Sequence, residues 1–122
     1  METNLALTII GSVLILVGII FNAVPKLVNE KIMGQLPEDA VGISALFRVV
    51  LGGFGIAIGT IALYCRDLPA EYAGKVLFSM GSGFIVVILT IVSGKLRGFD
   101  DELPIPPIIL FTMLTILAYY SS

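Results

Sequence analysis

Apolar residues occur in four long runs, which are separated by three short polar stretches. No charged residue lies between Thr3 and Pro25, and Arg48 is the only charge within the three later runs. An α-helix needs about 20 apolar residues to cross a hydrocarbon core of about 30 Å. The runs therefore predict four transmembrane helices, at Leu5–Val24, Val41–Tyr64, Val76–Gly94 and Pro104–Tyr120.

The predicted fold class is an all-α, polytopic membrane protein in which residues 1–122 form a single four-transmembrane-helix bundle. Pro25 is expected to end the first helix, and Pro37 precedes two acids that suit the opening turn of the second. The stretch that begins at Lys26 mixes apolar and charged residues, so either a short interfacial helix or a plain loop fits it. An even number of spans puts both termini on one side of the membrane.

Composition narrows the class of protein further. The chain is 57% hydrophobic and 13% charged, whereas soluble domains carry about 25% charged residues. A short chain has too small an interior to bury this apolar surface, so much of it is expected to face lipid. The net charge of −2 gives no basic surface for nucleic acid. With no His and only one Cys, the chain is predicted to hold no metal or cofactor and not to be an enzyme.

Lysine and arginine counts give the expected orientation. Positive residues are enriched on the cytoplasmic side of a membrane. Four of them fall in the first and third connections and two in the second, which weakly favours termini outside the cytoplasm. The cell membrane is the predicted location. The residues counted are Lys26, Lys31, Lys95 and Arg97 against Arg66 and Lys75.

Small and hydroxyl residues recur at helical spacing within each run. Helices in lipid associate through close packing and hydrogen bonds, so such residues indicate the inner faces. A packing role is the simpler interpretation, and the alternative is a seam between helices that binds a lipid, a quinone or a solute. The predicted packing residues are Gly52, Gly55, Gly59, Ser82 and Ser93, with Thr8, Ser12 and Asn22 on the first helix.

Arg48 is the charge that lies well inside a predicted span. A charge in a membrane helix is a functional hypothesis that requires a partner. The acidic third connection, with Asp100 and Asp101, is the expected source of a counter-ion. Arg48 then either reaches the interface and fixes the second helix there, or joins Lys95 and Arg97 in a site for an anion or lipid headgroup.

The order of these features resembles an uncharacterised family of small four-helix bacterial membrane proteins, similar in architecture to the DoxX-like group. The resemblance spans nearly the whole chain and implies the fold and a bacterial membrane, but no substrate. The residues that carry it are Pro25, Arg48-x-x-x-Gly52-Gly53, Gly59, Gly94-Lys95, Asp100 and Pro104.

The sequence favours a non-catalytic accessory or interaction subunit of a larger membrane complex, because it offers few catalytic groups and little extramembrane chain. The bilayer and a membrane-protein partner, or further copies of the chain, are the expected partners. The alternatives are a small oligomeric transporter or channel, and a binder of a lipid or quinone-like ligand in the helix seam.

Overall fold

The computed structural model describes residues 2–99 and 104–122, and every regular element within them is an α-helix. This confirms the prediction of an all-helical chain. The four longer helices correspond to the four predicted spans. The helices are α1 (Thr3–Ala23), α2 (Pro25–Met33), α3 (Glu38–Cys65), α4 (Ala70–Leu96) and α5 (Ile105–Ser121).

Three helices, α1, α3 and α4, are long and apolar enough to cross a membrane. Helix α5 is apolar as well but has 17 residues, which gives a length of about 25 Å. Three candidate spans are thus established by length and composition, and the fourth crossing stays a prediction.

Helices α3 and α4 extend beyond their apolar runs at both ends. Helix α4 begins at Ala70 and includes Glu71 and Lys75, which precede the predicted span. The reason is that an apolar run reports only the part of a helix that can contact lipid, whereas backbone hydrogen bonding continues into the polar interface. The stretch after Pro25 forms α2, so the helical alternative for this connection is the one observed.

The chain divides into two compact units, residues Thr8–Tyr64 and residues Met1–Leu7 with Cys65–Ser122. We call them the α1–α3 unit and the α4–α5 unit. In the α1–α3 unit, α1 and α3 run antiparallel with their backbones in close approach. A Cβ atom on Gly52 would lie 2.7 Å from Gly18 O, and one on Gly59 would lie 2.6 Å from Gly11 O. Glycine is therefore what lets these two helices meet at these levels.

In the α4–α5 unit, aromatic rings fill the space between antiparallel helices. The Tyr119 ring covers Gly81 and packs against Phe78, with ring centroids 5.1 Å apart. Its hydroxyl is 2.9 Å from Ser82 Oγ. About one turn further along α4, Phe84 meets Phe111 on α5 with ring centroids 5.7 Å apart. Tyr119 thus combines ring packing with a polar contact across the helix pair.

Candidate functional site

Arg48 lies about three turns into α3 and is half-buried. Its Nε donates a hydrogen bond to Oδ1 of Asn29 on α2, with a donor–acceptor distance of 2.7 Å. The guanidinium carbon also lies 5.0 Å from the centre of the Phe21 ring on α1, within the range of a cation–π contact. Arg48 therefore links all three helices of the α1–α3 unit.

Helix α2 carries Asn29 to this position because its two ends are set by local sequence. Pro25 occupies the first turn, where its missing N–H costs nothing. Gly34 ends the helix with φ at 76°, a left-handed conformation that glycine adopts without strain. Between them, Asn29 is only 2% exposed, so this polar side chain is enclosed by the protein.

The orientation of the Asn29 amide follows from its partner. A guanidinium has only hydrogen-bond donors, so the amide atom that faces Arg48 must be the oxygen. The amide nitrogen Nδ2 then points elsewhere, and it is buried without a hydrogen-bond partner. A buried donor left unsatisfied costs about 1–3 kcal/mol. Asn29 Nδ2 is therefore a donor in need of an acceptor.

A cleft of about 210 Å³ adjoins Asn29. It lies beside α2 and the segment that leads into α3, and both polar and apolar side chains line it. Its walls come entirely from the α1–α3 unit. The lining residues are Lys26, Asn29, Glu30, Gly34, Gln35, Leu36 and Val41.

The charge of Arg48 is not balanced by an acid within the part of the chain that the structure describes. There, its polar contacts are the Asn29 hydrogen bond and the Phe21 ring, and no ion pair accompanies them. The predicted counter-ions, Asp100 and Asp101, lie outside the described residues. The sequence did not predict Asn29 as the partner of Arg48. Asn29 lies in a polar connection among several charged residues, and no motif or spacing sets it apart from them.

The other two predicted members of the anion site belong to the α4–α5 unit. Arg97 Nη2 donates to Ser93 Oγ at 3.2 Å, and the guanidinium lies 4.9 Å from the centre of the Phe99 ring. Lys95 is exposed. Arg97 and Ser93 thus form a local cluster at the C-terminal end of α4, and a site that combines them with Arg48 stays a prediction.

The predicted packing residues fall in different surroundings. Gly52, Gly55 and Gly59 face α1, and Ser82 bonds to Tyr119. The hydroxyl of Ser93 donates to Thr90 O within α4, so a role in helix packing stays a prediction there.

On α1 the structure agrees with the sequence-based stripe in part. Asn22 contacts α3, where its Nδ2 donates to Val49 O at 3.4 Å, whereas Ser12 is exposed and the contacting small residues are Gly11 and Gly18. Their seven-residue spacing, matched by Gly52 and Gly59, is the signal that would have found them. Hydroxyl residues were expected at the contact because they are polar, but helices that approach this closely need glycine, which has no side chain.

Comparison with protein-family models, with curated proteins and with solved structures finds no match to this chain. The chemistry of the candidate site is therefore argued from its own side chains. Lys26, Asn29 and Glu30 line the cleft, and Arg48 is linked to this group through its hydrogen bond to Asn29 Oδ1.

Proposed function

We propose that the protein is a multi-pass integral membrane protein, of DoxX-like architecture, that acts as a non-catalytic accessory subunit of a membrane complex. In this proposal α1, α3, α4 and α5 each cross the bilayer, and both termini lie on the same side. The three helices of membrane-crossing length and composition support the membrane location.

The observation that carries the proposal is the outer face of α3, which we define as Phe47, Leu51, Phe54, Ile58 and Ile61. All five are exposed, with Phe47 at 63% and Phe54 at 62%. Their spacing alternates between four and three residues, the pattern by which one helix packs its side chains into another. The glycines that contact α1 lie roughly 110° around α3 from this face, so the face remains exposed and can receive a helix of another subunit.

The face also differs chemically from the side that packs within the chain. The inner side of α3 meets α1 through glycines, whereas the outer face presents large branched and aromatic side chains. Association in a bilayer depends on close packing, and the spacing of these side chains is what would let a second helix interdigitate with them. An accessory role follows if the helix that docks there belongs to a different protein.

Topology is tested with reporter fusions after Pro37, Asp67 and Phe99. The Asp67 fusion should report the compartment opposite to the other two. The charge distribution predicts that the Pro37 and Phe99 fusions are cytoplasmic. A result in which all three fusions report one compartment would contradict the proposed membrane path.

The accessory role is tested by photo-crosslinking in native membranes, with a crosslinking amino acid placed at Phe54. Leu89 on α4 and Met113 on α5 are matched controls, since they are exposed to similar extents, 62% and 64%. A crosslinked species of defined mass is expected from Phe54 alone. A defined species that consists only of this chain would instead indicate a homo-oligomer, the state that a small transporter requires. Equal, diffuse labelling at the three positions would mean that α3 faces lipid.

A further inference from the structure

We propose that α2 and residues 38–45 of α3 form a surface that lies in the lipid headgroup layer, so that the edge of the hydrocarbon core crosses α3 near Leu46. The apolar run of the sequence places that edge at Val41 instead. The inference rests on the membrane location proposed above, and it is separate from the accessory role. The partner of this surface is the polar layer of the bilayer itself.

The first step is the register between α1 and α3. The glycine contacts between these helices are seven residues apart on both of them, so a step forward on α1 corresponds to an equal step back on α3. One contact sets Gly52 against Gly18, where a Cβ atom on Gly52 would lie 2.7 Å from Gly18 O. Six residues on from Gly18, the end of the α1 apolar run at Val24 is therefore level with Leu46.

Polar contacts near Arg48 support the same register. Asn22 Nδ2 donates to Val49 O at 3.4 Å, and the Arg48 guanidinium lies over the Phe21 ring. Arg48 is therefore level with the last turn of α1. Helix α3 begins at Glu38, ten residues earlier, so about 15 Å of it extends past this level.

The second step is the charge on α2, which decides where the membrane edge lies. Helix α2 begins two residues after α1 ends, so it starts close to the level of Leu46. Its charged side chains, those of Lys26, Glu30 and Lys31, are all exposed. An edge at Val41 would lie about 7.5 Å further out along α3, and it would enclose the start of α2 in hydrocarbon. Because ionised side chains are strongly disfavoured there, we infer that the end of α1 marks the edge.

The third step is the length of α3. Residues 41–64 span about 36 Å, whereas residues 46–64 span about 28 Å, which is close to the hydrocarbon core of about 30 Å. The shorter span places Arg48 about 3 Å inside the edge. Helical side chains lean toward the N-terminus of their helix, so the guanidinium extends outward to Asn29 on α2. At this depth its charge can be met by water and headgroups.

The exposed side chains of the surface suit a layer in which polar and apolar groups meet. Leu27 and Met33 of α2 are exposed beside the charged residues of the same helix. This mixture is typical of a helix that lies in the plane of the interface. The charges of α2 have both signs, and Glu38 and Asp39 follow at the start of α3. The partner is therefore the headgroup layer in general, and an anionic lipid is not required.

The experiment compares two isoleucines of α3, Ile43 and Ile61, which are both 58% exposed. The chain has no Trp, so Ile43→Trp and Ile61→Trp each give the full chain a single fluorophore. The purified variants are placed in phosphatidylcholine vesicles. Depth is measured through quenching by lipids that are brominated either near the headgroup or near the end of the acyl chain.

The two fluorophores should lie at clearly different depths. Relative to the nearer edge of the hydrocarbon core, Ile43→Trp should lie about 4.5 Å outside and Ile61→Trp about 4.5 Å inside, a difference of about 9 Å. An edge at Val41 puts Ile43→Trp about 3 Å inside, which reduces the difference to about 1.5 Å. A measured difference near the smaller value would overturn the proposal.

Helix α2 is tested in the same vesicles with Leu27→Trp. The lipid brominated near the headgroup should quench it most strongly, and any other pattern at this position would remove α2 from the headgroup layer. Quenching at none of the three positions would refute the membrane location and this inference with it, so the two failures are distinguishable.

Cysteine labelling provides a second measurement that does not depend on the tryptophan variants. Cys65 is the only cysteine of the chain, so Cys65→Ser gives a background for Ile43→Cys and Ile61→Cys. A charged, membrane-impermeant maleimide, supplied to both faces of the vesicles, should label Ile43→Cys and leave Ile61→Cys unlabelled. Protection of both positions would place Ile43 in hydrocarbon and overturn the proposal.

Discussion

Adjacent glycines in α3 provide a direct test of the close helix approach. Gly52 faces α1, and a Cβ atom there would lie 2.7 Å from Gly18 O and 2.8 Å from Phe21 Cβ. Gly53, the next residue, has nothing within 4 Å of the corresponding position. Both of these Gly52 contacts are atoms that cannot rotate away, so the helices themselves would have to separate. We therefore expect Gly52→Ala and Gly53→Ala to change stability in opposite directions.

The magnitude follows from two terms. Ordinary contact begins near 3.4 Å, so Gly52→Ala requires a local separation of about 0.7 Å, and overpacking of this kind costs about 1–3 kcal/mol. Replacement of glycine by alanine in a helix also gains up to about 1 kcal/mol. That gain is common to both variants, so the difference between their free energies of unfolding isolates the steric cost. Gly53→Ala alone should be neutral or stabilising.

The measurement is unfolding by sodium dodecyl sulfate in mixed micelles, followed by circular dichroism and by tryptic cleavage. The expected difference of about 1–3 kcal/mol corresponds to a change of roughly 5- to 150-fold in the unfolding constant. Equal free energies of unfolding for the two variants would refute the close approach of α1 and α3 at this level. A loss confined to Gly53→Ala would place the contact on the side of α3 that carries Gly53, about 100° around the helix from Gly52.

Two further predictions concern polar contacts. Tyr119→Phe removes the hydroxyl that bonds to Ser82 and should lower the free energy of unfolding by about 0.5–1.5 kcal/mol. Tyr120→Phe is the control, since Tyr120 is 77% exposed, and equal effects of the two would mean that the bond contributes nothing. In a double-mutant cycle, Arg48→Met and Asn29→Leu should show a coupling energy of about 0.5–3 kcal/mol in the same unfolding assay, because the two side chains share a hydrogen bond. Additive losses would show that the two side chains do not stabilise each other.

Much of the fold can be predicted from the pattern of residues along the chain. Runs without charge are long enough to dictate helices because every backbone polar group in an apolar setting has to be satisfied within its own segment. Proline and glycine then indicate where a helix begins or ends, as Pro25 and Gly34 do for α2. The glycines of α3 are also visible in the sequence, since helical spacing alone shows which residues share one face.

Helical spacing does not show which helix that face will meet, and this is where tertiary structure decides. Gly11 and Gly18 acquire their role only because α1 lies antiparallel to α3, which brings their carbonyl oxygens against Gly59 and Gly52. The partner of a buried charge is also difficult to predict from the sequence. A residue of opposite charge is an obvious candidate, whereas a neutral hydrogen-bond acceptor is one of many.

Arg48 is the clearest case. Its sequence context indicates a carboxylate, and the expected ones, Asp100 and Asp101, lie outside the described residues. Among the described residues its hydrogen bond goes to the amide of Asn29, 19 residues away. That choice depends on where α2 ends and how it returns the chain to α3, which no periodicity specifies. The sequence by itself determined that the chain forms apolar helices and which side of α3 is small. Only the folded arrangement decided that one buried amide would accept from an arginine and leave its own donor unpaired beside a cleft, because the partners come from separate helices and meet only after those helices pack.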